Sequence, residues 1–195
     1  MYFLRCPSDN VLRALLGRAS QRHATFPHLY ATETPHLDLP EFRKDHHRTR
    51  IGTGRAAFRA ARGALRAWRQ FDLDWLRLVP AGPVPNAGLP AALLVRLPGV
   101  WSLNVSKVIY VTESHGAIER YGYAWSTLDC HVLCGEESFI VEWHRGDDAV
   151  WLDMLAFSQP SGWLPRIGYP LLRHRQKRFA REAPRQVKGA VRAAE

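Results

Sequence analysis

Thirteen residues, "TLDCHVLCGEESF" at 127–139, gather two thiols, an imidazole and an adjacent pair of carboxylates. Two chemistries suit those residue types. Cys130, His131 and Cys134 are ligands of the kind zinc takes, but structural zinc sites use four donors, and Cys6, the only other cysteine, is remote. A metal is therefore not expected, and two small thiols buried at a hairpin corner account for the cysteines. Acid/base work is the second reading. Glu136 and Glu137 cannot share a site on a regular strand, because neighbouring side chains point to opposite faces. Glu137 is the more chemical of the two, since Phe139, Val141 and Trp143 share its face. A carboxylate in such company is desolvated, which raises its pKa unless a donor compensates. His131, at the mouth of the strand, is the candidate donor or general base. The alternative role for Glu137 is a structural tie across the hairpin.

The elements that would position these residues follow from periodicity. Ser8 can cap a helix to about Ser20, with Val11, Leu12, Leu15 and Leu16 as its apolar stripe. Residues 21–45 are interrupted by Pro27, Pro35 and Pro40 and read as extended loop. A short strand over 47–54 ends in a glycine turn, and "RAAFRAARGALRAWRQF" follows as a helix with Phe58, Ala61, Leu65 and Trp68 inward. Its Gly52-x-Gly54 turn is a tight turn before it is a phosphate loop. From Trp75 to Phe157 the texture is β, with about six strand candidates. One of them places Tyr121, Tyr123, Trp125 and Thr127 on one face. "SGWLPRIGYPLLRHRQKRFARE" closes the chain as a helix with Leu164, Ile167, Leu171 and Leu172 inward, and Pro170 either kinks it or marks a late start.

This order predicts an α+β fold: a curved antiparallel sheet packed on a long C-terminal helix, with one domain over 1–185 and a basic tail over 186–195. The topology resembles the helix-grip fold of START and Bet v 1-like proteins. A sheet curved around a helix leaves space between them, and such spaces commonly hold apolar ligands.

The net charge of +9 is unevenly spread. From Trp163 onward there are nine Lys or Arg against two acids, while the rest of the chain carries 18 bases and 16 acids. Two cationic stripes result, Arg55, Arg59, Arg62, Arg66 and Arg69 on the first long helix and Arg173, Arg175, Lys177, Arg178 and Arg181 on the last. They read either as solvated helix faces or as a weak contact for an anionic membrane surface. Nucleic acid is not expected, because no reading motif accompanies the charge. Three scattered cysteines, no apolar run long enough for a bilayer and no leader pattern point to a cytoplasmic protein.

The sequence resembles the bacterial and plant family filed as domain of unknown function nineteen-ninety, over roughly Phe26 to Phe179. The likeness rests on "IGTGRAAF", "LRAWRQFDLDW", "PGVWSLNVSKVIYV", "YGYAWSTLDCHVLCGEESF", "WLDMLAFSQP" and "RHRQKRF". Thr127, Leu128, His131, Gly135, Glu136, Glu137 and Phe139 match the family's hairpin, whereas Asp129 and Cys130 stand where it has proline and glycine. The cysteines are thus the non-matching members. No activity comes with the resemblance.

Two functions are consistent with these residues. The first is a binding protein whose apolar or lipid-like ligand sits between sheet and C-terminal helix. There Tyr121, Tyr123, Trp125, Phe139 and Trp143 would line or buttress the cavity and His131 and Glu137 would anchor polar groups. The second is a hydrolase- or cyclase-type enzyme using His131 and Glu137 as acid and base. No nucleophile elbow, triad order or zincin helix is present, and no cofactor is implied.

Overall fold

The computed structural model describes residues 1–194, apart from the side chain of Leu164. Eight strands form one antiparallel sheet: β1 (Tyr2–Phe3), β2 (Arg43–Thr53), β3 (Leu76–Pro80), β4 (Pro90–Leu97), β5 (Val100–Ser114), β6 (Ile118–Thr127), β7 (Leu133–His144) and β8 (Ala149–Pro160). Its order is β2-β8-β7-β6-β5-β4-β3, with β1 paired to β5. Consecutive strands from β3 to β8 are neighbours, as short connections dictate. The exception is β2, which crosses over to pair with β8. Its run "RKDHHRTR" is charged almost throughout, which suits an edge strand that must not recruit another chain.

Four helices complete the fold: α1 (Asp9–Ala19), α2 (Gly54–Arg66), α3 (Trp163–Ile167) and α4 (Tyr169–Arg192). The concave face of the sheet curves around α2 and α4, which lie against each other. Phe58, Ala61, Leu65 and Trp68 are buried there with Tyr121, Tyr123, Phe139, Val141 and Leu152 from the strands. Gly54 starts α2 with a positive φ of 86°, so its role is a tight turn that lets β2 pass directly into the helix. On the outer face α1 packs Leu12, Leu16 and Ala19 against Leu94, Leu103 and Val105.

The terminal helix has the late start that Pro170 allowed, and it departs from its sequence reading in its inward residues and in its final turns. It begins at Tyr169, with Pro170 in its first turn, and the preceding turn α3 is separated from it by Gly168. The apolar period therefore does not carry across the break. Ile167 is 73% exposed and Leu171 42%, so neither is inward, and the side chain of Leu164 lies outside the described residues. The inward stripe of α4 instead runs through Leu172, Phe179, Ala183, Val187 and Val191. Residues 186–192, read from the sequence as a basic tail, continue α4 and bury Val187 and Val191 in the core. Their spacing of four from Ala183 is the cause. None of the described helices is long and apolar enough to cross a membrane.

Candidate functional site

Strand parity separates the two carboxylates at the hairpin, as their adjacency requires. Glu136 faces outward. It accepts hydrogen bonds from the Tyr30 N–H (2.8 Å), the Thr32 N–H (2.9 Å) and the Thr32 hydroxyl (2.7 Å). Tyr110 reaches the same cluster through Thr32 Oγ1 at 2.8 Å. A bulge in β5 between Val108 and Tyr110 turns Tyr110 to the outer face. Burial pushes the Tyr110 phenol up to about 12, so it stays protonated and donates. Glu136 is thus the clamp that fastens the loop before β2 onto the sheet, where Phe26 and Phe42 cover Leu155 and Phe157.

Glu137 faces inward, in register with Trp125 on β6 and Ala156 on β8, which in turn pairs Asp45 on β2. Among the described residues its one donor is the Trp125 indole N–H, at a long 3.4 Å. Burial with so little compensation raises its carboxyl to about 7.

His131 belongs to the corner between β6 and β7, and β5 holds that corner. Leu128 N–H donates to Val105 O at 3.0 Å, and Val132 N–H to Asn104 Oδ1 at 3.3 Å. Thr127 Oγ1 accepts from Gly135 N–H at 2.9 Å. Gly135 is required by space, since a Cβ there would meet Phe157 O at 2.2 Å. The Leu133 N–H donates to His131 Nδ1 at 2.9 Å, which leaves the ring proton on Nε2. Desolvation lowers this imidazole to about 4, so the ring is neutral at physiological pH.

Both groups line one cleft of about 170 Å³ between α4 and the concave face. Leu76, Leu93, Val95, Trp125, Met154 and Phe179 supply apolar wall. Ser102, Asn104 and Ser106 of β5 form a polar strip near His131. Arg173 forks onto Asp45 at 2.5 and 2.8 Å, beside Glu137, and ties α4 to β2. Gln176 extends the tie to the Ser158 hydroxyl at 3.1 Å.

Of the seven residues singled out in the sequence, Trp125, His131 and Glu137 line the cleft. Tyr121, Tyr123 and Phe139 are fully buried behind it, and Tyr123 Oη is met by the Gln70 amide. Trp143 stands apart, stacked on Phe58 at 6.3 Å and donating to Asp148 at 2.7 Å. Cys130 and Cys134 are half-buried thiols, the latter directed at Thr25 O. The polar strip of β5 escaped the sequence reading, although its signal was there: Ser102, Asn104 and Ser106 alternate with Leu103 and Val105. That pattern marks a strand with one polar face, and here both faces are buried, the apolar one under α1 and the polar one along the cleft.

The cationic stripes are less free than their composition suggests. Arg62 pairs with Glu113 at 2.9 Å and Arg69 with Asp72 at 3.0 Å, while Arg62 and Arg66 both lie over the Tyr121 ring. Arg178 is shared between Glu182 (2.7 Å) and Asp74 (3.2 Å).

A curved antiparallel sheet gripping a long C-terminal helix, with a cleft between them, defines a protein of the helix-grip class. Within it, this chain belongs to the family described as domain of unknown function DUF1990, whose model matches residues 25–186. It is 32% identical to a UPF0548 protein of Dictyostelium discoideum over 98% of this chain and 96% of that one. With the UPF0548 protein At2g17695 of Arabidopsis thaliana it shares 34% identity over 80% of this chain and 76% of that one. Among solved structures it is similar to the crystal structure of Ara h 8.0201, with a TM-score of 0.48 and 13% identity, covering 78% of this chain and 99% of that one.

Proposed function

We propose that the protein binds a small apolar or lipid-like molecule in the cleft between α4 and the sheet. The observation that carries this reading is the cleft's composition: a continuous apolar wall interrupted by a few convergent polar groups, chief among them Glu137 and His131 Nε2–H. The protonated carboxyl and the neutral ring each offer one hydrogen-bond donor to a polar group of the guest. Titration with the neutral fluorophore N-phenyl-1-naphthylamine tests it. Ala180 lines the cleft from α4, so Ala180→Trp fills it. Saturable fluorescence enhancement by the wild type and its loss in a folded Ala180→Trp variant are the expected results. Equal response of the two proteins overturns the reading.

A second reading, acid/base catalysis, draws on the fact that His131 and Glu137 share this cleft and that Glu137 titrates near neutrality. A carboxyl poised there can both give and take a proton, with the neutral His131 polarising the substrate. A bell-free rate profile governed by one group near pH 7, abolished in Glu137→Gln, would support turnover of any ester or cyclisable substrate found to bind.

The same end of the molecule carries a further proposed contact. Trp163, Ile167 and Leu171 are exposed on α3 and the first turn of α4, and Arg166, Lys177 and Arg181 are exposed on the same two helices, a combination suited to the surface of an anionic membrane. Flotation with phosphatidylserine vesicles should recover the wild type in low salt, and recover a Trp163→Ser, Ile167→Ser variant less. Equal recovery on neutral vesicles removes this contact.

A further inference from the structure

Three cations of α4 line the cleft: Arg173, Arg175 and Lys177. Their circumstances differ. Arg173 is neutralised by both oxygens of Asp45. Arg178, just outside the wall, is neutralised by Glu182 and Asp74. Among the described residues, no carboxylate lies within ion-pair distance of Arg175 or Lys177.

Arg175 is the more constrained of the two. Its guanidinium lies over the Trp75 ring, 5.2 Å from the centroid, and Arg178 also lies over that ring at 5.0 Å. Trp75 is itself fixed by its indole N–H, which donates to Glu182 at 2.7 Å. Stacking leaves the N–H edge of a guanidinium available, because those bonds lie in its own plane. Yet Arg175 Nε is buried and, among the described residues, has no hydrogen-bond partner. A buried donor without an acceptor is costly, and a small rotation of the guanidinium toward an oxyanion in the cleft would satisfy it.

We propose that Arg175, assisted by Lys177, receives the oxyanion of an amphiphile whose alkyl part fills the cleft. The inference rests on the cleft being a binding site, and it narrows the ligand to single-chain anions bearing a carboxylate or a phosphate ester. Both groups present the pair of oxygens that a guanidinium edge matches. The apolar wall takes the chain, and the stack on Trp75 keeps the cation at the cleft wall before the ligand arrives.

Calorimetric titrations with decanoate, decyl phosphate and decanol test this, run at slightly acidic pH where Glu137 is mostly uncharged. The better anion is expected to bind the wild type about tenfold tighter than decanol, as a charge-assisted hydrogen bond provides. The comparison of decanoate with decyl phosphate tells which head group is meant. Arg175→Gln should erase the advantage and leave decanol unchanged, Arg175→Lys should keep part of it, and Arg185→Gln, at an exposed cation of the same helix, should keep all of it. Raising salt on the wild type should weaken the anions and not decanol, a measurement that needs no variant to fold. Equal affinity for anions and decanol, or an anion preference that survives Arg175→Gln, overturns the inference while the cleft remains a binding site. Binding of none of the three overturns the inference together with the reading it rests on.

Discussion

Glu137 and His131 should give the fold opposite responses to pH, and the two can be separated. Burial raises Glu137 from 4.5 to about 7, so the folded protein holds that proton more tightly than the unfolded chain does. Stability contributed by this group is therefore full below pH 4.5 and declines as pH rises to about 7. At about 1.4 kcal/mol per unit the loss is about 3 kcal/mol. Burial lowers His131 from 6.5 to about 4, so its contribution is full above pH 6.5 and is lost as pH falls to about 4, again by about 3 kcal/mol. Between pH 4.5 and 6.5 the two slopes cancel in the wild type. Urea denaturation at stepped pH should show Glu137→Gln equal to wild type at acid pH and about 3 kcal/mol more stable at alkaline pH. His131→Asn, whose amide oxygen can still accept from Leu133 N–H, should diverge from wild type in the other direction, holding stability where the wild type loses it. A Glu137→Gln difference that stays constant from acid to alkaline pH would refute the assignment of Glu137 as a desolvated cleft carboxyl.

Other consequences follow from the same contacts. Glu136→Ala removes the acceptor of three hydrogen bonds, so it should cost about 3 kcal/mol and accelerate amide exchange over residues 26–42; unchanged exchange there would show that the loop does not depend on the clamp. Val187→Ala should cost about 2 kcal/mol by urea midpoint, because the side chain is fully buried, and a surface tail would give no change. Asp45→Asn leaves Arg173 half-buried without its partner and should cost about 2 kcal/mol, with a double-mutant cycle to Arg173→Gln recovering most of it as coupling.

The strands were legible because alternation is a local property. The same rule that put Tyr121, Tyr123 and Trp125 on one face also sent Glu136 and Glu137 to opposite faces, and both arrangements are found. The cleft was legible only in part. Glu137 could be placed on the inner face from its neighbours, but His131 reaches the same space through a corner held by Asn104, a residue of another strand. Likewise the pairing of Asp45 with Arg173 joins positions 128 residues apart, and no period in the sequence encodes it. The end of α4 was missed for a different reason. Charge dominated the reading of residues 186–195, although Ala183, Val187 and Val191 already carried a helical stripe.

The pairing of β2 with β8 has a consequence for how the chain is made. Among the described residues, 43–53 find their only strand partner at 149–160, and the stripe of α4 that covers them comes later still. During synthesis β2 must wait for more than half the chain with its hydrogen-bonding edge open. Pairings so distant in sequence are slow to close, because the loop entropy is lost before the contacts repay it. The charges of β2 therefore serve a nascent chain as much as a finished one, keeping a strand without a partner from finding a wrong one at the ribosome.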